Sequence, residues 1–92
     1  MPLTLVLGLG KSGIASARHA LAADDDLVIY AGAASDATRT AAREFEQAGV
    51  EVIFDVEDVE GHFDTCIVSP GIPESGSFYG SAKKASDEII SE

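Results

Sequence analysis

The sequence predicts an α/β domain, a parallel sheet of four to five strands flanked by helices, and three observations carry that prediction. Short apolar runs alternate with segments at helical spacing, of about ten to fifteen residues, which is the pattern of βαβ units. The first apolar run leads directly into a glycine-rich turn, Gly8-Leu9-Gly10-Lys11-Ser12-Gly13, that opens a helix. Right-handed crossovers then give the strand order 3-2-1-4, extended by a fifth strand if Glu88-Ile89-Ile90 joins the sheet. Ninety-two residues make one domain with one modest core.

Leu3 to Leu7 is a continuous apolar run, as expected of a strand buried on both faces. From Lys11 to Ala23, Ile14, Ala17 and Leu21 fall on one stripe of a helix about 20 Å long. Asp24-Asp25-Asp26 ends it, and Leu27 to Tyr30 forms a second strand. Gly32 to Ser35 reads as a loop, with Ser35 or Asp36 capping a second helix that turns Ala41, Ala42, Phe45 and Ala48 inward. Gly49 is the expected stop after that helix. Val50 to Phe54 and Thr65 to Val68 are further strands. Beyond the rigid turn at Ser69-Pro70-Gly71-Ile72-Pro73, a third helical stripe runs through Phe78, Ala82 and Ala85.

Composition limits the partners. The net charge is −10, with only six basic residues, so nucleic acid and anionic membranes are not expected to bind. No apolar run approaches the roughly 18–20 residues that span a bilayer. Met1-Pro2-Leu3-Thr4-Leu5 has no basic segment ahead of its apolar stretch, so no secretory signal is expected. Cys66 is alone, closes no internal disulfide, and suits a cytoplasmic location.

The glycine turn has three readings. Gly8 permits a tight turn, Gly10 removes the Cβ that would block a ligand, and Gly13 lets the helix pack on the sheet. The unpaired N–H groups at the helix start favour an anion. The blander reading is that small residues only allow close packing. A dinucleotide site also needs an acid at the end of strand 2, and Tyr30 is followed by Ala31-Gly32-Ala33, the first acid being Asp36. Gly10-Lys11-Ser12 ends like a phosphate-binding P-loop, but the glycine required five positions earlier is Leu5, and that reading fails.

The turn, its alanine-rich helix and the later Val68-Ser69-Pro70-Gly71-Ile72-Pro73 together resemble the N-terminal domain of the Mur ligases, nearest to the branch that adds D-glutamate. The resemblance spans most of the chain, and the second motif is the more specific. It implies a cytoplasmic three-domain enzyme of peptidoglycan synthesis, of which residues 1–92 are the Rossmann-like, UDP-sugar-binding part. The implied substrate is UDP-N-acetylmuramoyl-L-alanine, and the implied partners are the central and C-terminal ligase domains. ATP and magnesium would belong to the central domain, where the substrate carboxylate becomes an acyl phosphate that the D-glutamate amine attacks. No cofactor, metal ligand or catalytic residue is expected within these residues. Carried onto this sequence, the resemblance implies a substrate site at Gly10, Lys11, Ser12 and Gly13, with Lys11 and Ser12 contacting the diphosphate through backbone amides and the Ser12 hydroxyl. Ser69, Pro70 and Gly71 complete it, with Ser69 and Gly71 against the uridine end. Ala31-Gly32-Ala33 departs from the family, which commonly carries an Asp-Thr-Arg-like run where uracil is read.

The remaining polar residues read as structural. His19 lies off the apolar stripe, His62 sits in a loop without ligand spacing, and Asp55, Glu57, Asp58 and Glu60 read as a solvated face. Tyr30 and Tyr79 read as packing residues, and Cys66 as a small core residue. Three functional classes stay open: the ligase's substrate-binding domain, a dinucleotide- or nucleotide-sensing regulatory module, and an α/β domain whose turns bind nothing. The end of the sequence at Glu92, on a strand-like segment, suggests part of a longer protein.

Overall fold

The computed structural model describes residues 3–23, 26–56, 58–68, 72 and 75–91. Five parallel strands, β1 (Leu3–Leu7), β2 (Asp26–Gly32), β3 (Glu51–Phe54), β4 (Phe63–Val68) and β5 (Ser86–Ser91), lie in the order β3-β2-β1-β4-β5. Three helices connect them: α1 (Lys11–Ala22), α2 (Asp36–Gln47) and α3 (Ser77–Ala85). The fold is the expected Rossmann-like α/β sheet, and its fifth strand is present. Leu7 pairs with Tyr30 on one side and with Val68 on the other, so the chain leaves β1, β2 and β4 along one edge of the sheet.

Because β1 is central, its side chains are covered on both faces. Val6 joins α1 and α2 in one cluster with Ala17, Ala20, Ile29, Ala42 and Phe45. Leu5 and Leu7 join the other, with Cys66, Val68, Phe63, Ala82 and Ala85. Phe45 is fully buried, a gain of roughly 1.5–3 kcal/mol over exposure. Among the described residues no helix is long and apolar enough to cross a membrane.

The ends of α2 show why local sequence sufficed there. Ser35 is its cap: the Ser35 hydroxyl accepts from the Thr38 amide at 3.2 Å, and Thr38 Oγ1 accepts from the Ser35 amide at 2.8 Å. At the other end Gly49, at φ +89°, donates to Glu46 O, and Val50 donates to Phe45 O. That pair of bonds is a Schellman stop, and Val50 and Phe45 share the same core cluster.

Several expected boundaries move. Ala48 is exposed rather than inward, because it is the residue on which α2 ends. β2 runs on through Ala31 and Gly32, with an irregularity in its pairing to β3 between Tyr30 and Gly32. β4 begins at Phe63, since Phe63 pairs with Ser86 once β5 flanks it. Asp26 opens β2, whereas Asp24 and Asp25 lie outside the described residues.

Candidate functional site

The glycine turn follows directly from where β1 must stop. Gly8 adopts φ +91°, a left-handed conformation costly for other residues, and its amide donates to Tyr30 O at 2.8 Å. Two residues later Gly10 caps α1 in an extended conformation, and its carbonyl accepts the Ile14 amide at 2.9 Å. No side chain caps this helix, and its first turn carries no acid. A Cβ built on Gly10 would meet no atom within 4 Å, so the space above it is open. Gly13 is buried within the first turn of α1. Among the described residues no side-chain hydrogen bond caps α1, whose start is the positive end of the helix dipole.

Lys11 and Ser12 open α1, so four of the expected site residues, Gly10 to Gly13, stand together. Ser69, Pro70 and Gly71 lie outside the described residues. Ile72, from the same expected loop, is half-buried against the cluster containing Leu7 and Val68.

The neighbouring edge of the sheet holds what sequence reasoning missed. Ala31 is buried, Gly32 turns at φ +82°, and Ala33 is exposed. Asp55 is exposed, as expected of a solvated face, and it also fastens this loop: its amide donates to Gly32 O at 2.8 Å, and its Oδ1 accepts from the Ala34 amide at 3.1 Å. It does so at φ +58°, the left-handed region that Asp tolerates better than most side chains. The signal in the sequence was an Asp immediately after a strand. Beside it, Gly32, Ala33, Asp55, Val56 and Asp58, together with Gly76, Ser77 and Phe78 at the start of α3, line an open cavity of about 680 Å³.

No protein-family model matches the chain, and no curated protein matches it.

The other polar residues have structural surroundings. His19 is exposed, and His62 Nε2 lies 3.3 Å from an Asp87 carboxylate oxygen, both side chains exposed. Tyr30 packs in the core, tilted against Phe78 at 6.3 Å, and its hydroxyl accepts from the Glu60 amide at 3.4 Å. Tyr79 packs half-buried on the same cluster. Burial pushes the Cys66 thiol up to about 11, with Ser86 opposing in part, so the side chain stays a neutral thiol at neutral pH. Asp58 and Glu60 are exposed, and Glu57 lies outside the described residues. Among the described residues no group of three or more His, Cys, Asp or Glu is arranged to hold a metal ion.

Proposed function

We propose that this chain is the UDP-sugar-binding module of a Mur-type ATP-dependent ligase, holding UDP-N-acetylmuramoyl-L-alanine for the addition of D-glutamate. The observation that carries the reading is the start of α1: an uncapped helix behind a buried strand, with open space over Gly10. Amides fixed there stabilise a diphosphate without reorganising, and their local field outweighs distant acidic residues screened over roughly 8–10 Å. Lys11 adds a cation to the sequence of that turn. ATP and magnesium would be held by the central domain of the ligase, whereas this chain's role is to bind and orient the nucleotide end. The protein is proposed to work in the cytoplasm.

A second reading, a dinucleotide-sensing module, draws on Asp55, which brings a carboxylate to the end of β2 from the adjacent strand. Titration separates the two. UDP or the UDP-muramoyl substrate should shift the amides of Gly10 to Ile14, together with those of Ser69 and Gly71, in the nitrogen–proton NMR spectrum. NAD should bind no better than about millimolar, for want of an acid on β2 itself. Binding of UDP that leaves Gly10 to Ile14 unmoved overturns the site, and micromolar NAD binding favours the sensor.

A further inference from the structure

Among the described residues the crossover from β3 to β4 holds no helix, and residues 58–60 within it run as irregular chain over the α3 side of the sheet. None of the backbone–backbone hydrogen bonds of the described turns and loops involves these three residues. Two side chains hold them instead. The Val59 amide donates to Ser81 Oγ at 2.9 Å, and the Glu60 amide donates to Tyr30 Oη at 3.4 Å. Val59 is buried between exposed Asp58 and Glu60, so a single apolar side chain plugs this stretch into the core. Few buried apolar contacts and exposed backbone mark the low-stability end of a fold.

The two ends of the stretch differ in freedom. Asp55 is fixed by its bonds to Gly32 and Ala34, whereas Gly61, at φ +102°, gives the chain a backbone without a Cβ on which to turn. The Ser81 hydroxyl joins two segments, since it accepts from Val59 and donates to Phe78 O at 3.1 Å. Those segments also line the cavity, with Asp55, Val56 and Asp58 before Val59, and Gly76, Ser77 and Phe78 at the start of α3. We infer that residues 58–60 are a strap that opens as one unit while the sheet stays folded, plugged by Val59 and latched by the Ser81 and Tyr30 hydroxyls, and that its opening widens the cavity. The strap does not depend on the proposed diphosphate site.

Amide hydrogen exchange of the full chain tests the strap. In the parent, the Val59 and Glu60 amides should be protected about 100-fold less than the slowest amides of β1, and low urea should leave their exchange unchanged, because local opening exposes little surface. Protection equal to that of β1, with the same urea dependence, overturns the strap. The latches are tested crosswise. Ser81→Ala removes the acceptor of Val59 alone, yet the Glu60 amide should exchange about three- to tenfold faster, because both bonds break in one event. Tyr30→Phe should likewise speed the Val59 amide, by a smaller factor, since the bond it removes is the longer one. Amides that respond only to loss of their own acceptors overturn the single unit. Val59→Asp, which puts a charge where the plug is buried, should expose both amides and keep β1 protected. Unfolding of the whole domain in that variant overturns the independence of the strap. Spin labels on Val56→Cys and Ser77→Cys, at exposed positions of the two cavity-lining segments, then read the cavity. Adding Val59→Asp should lengthen the distance between them, and an unchanged distance overturns the widening.

Discussion

Helices α1 and α2 begin at neighbouring positions on the same edge of the sheet, yet their starts are built oppositely. α2 opens on Ser35 and Thr38, which satisfy each other's amides, and Asp36 adds an acid to its first turn. α1 opens on Gly10, with no capping side chain and no acid. A side-chain cap contributes about 1 kcal/mol to a helix, so α2 carries a stabilising device that α1 lacks. The difference teaches where a ligand fits: a start satisfied by its own side chains has little to offer an anion, whereas an uncapped start in open space keeps its amides for one.

The strongest way to break this contrast is to fill the space over Gly10. In Gly10→Val, UDP-induced shifts at residues 10–14 should disappear, because a branched side chain occupies the room a phosphate needs. The domain should stay folded, since Gly10 is already extended and a Cβ there meets nothing within 4 Å. Loss of Gly at the cap costs about 1 kcal/mol or less, measurable by urea denaturation. Shifts that survive in Gly10→Val would mean that the open start of α1 does not hold the ligand.

Ser35→Ala makes the reverse experiment. It should lower stability by about 1 kcal/mol, through loss of the cap at α2, and leave UDP binding unchanged. Cys66 reports the same event chemically: buried, with its thiol held near 11, it should resist alkylation at neutral pH until the domain opens. Alkylation under conditions where opening is transient should then be several-fold faster in Ser35→Ala than in the parent chain. A variant that alkylates at the parent rate would show that the Ser35–Thr38 box contributes nothing to folding.

These two starts also show what local sequence can and cannot reveal. Ser35 and Gly49 were legible because caps and stops are nearest-neighbour chemistry, set within a few residues of the helix end. The order of the strands was legible because right-handed crossovers leave few alternatives. Gly10 was legible as an open position because a glycine between a buried strand and a helix has few other uses. Asp55 was not, since its partners Gly32 and Ala34 lie more than twenty residues away and meet it only through β2–β3 pairing. The same holds for Phe63, whose place in β4 depends on pairing with Ser86. In the candidate site, the α1 half followed from the chain's own order, whereas the cavity at β2 and β3 is assembled by tertiary contacts from three separate segments.

The smallest effect concerns how α1 and α2 are held together. Arg18 and Glu44 form a two-point pair, Nε to Oε2 at 2.7 Å and Nη2 to Oε1 at 2.6 Å, between side chains that remain largely exposed. The hydrogen bond from Arg18 holds the Glu44 carboxyl below its ordinary 4.5, and Glu44 raises Arg18 in return. A carboxyl whose folded value is lowered stabilises the fold above its unfolded value, and that contribution is lost as pH falls through the folded one. The stability gap between the parent chain and Glu44→Gln should therefore be open at pH 7 and close as pH drops from 4.5 downward. Because the pair is exposed, the gap should be smaller than that of Ser35→Ala and should shrink further in about 1 M salt, where screening acts over roughly 3 Å. Urea denaturation of both proteins at matched pH and salt measures it. A gap of constant size from pH 7 to pH 3 would assign the effect of Glu44 to packing of its methylenes on α1 rather than to its charge. UDP binding should not change in this variant, since Arg18 and Glu44 lie in the second halves of their helices, away from both starts.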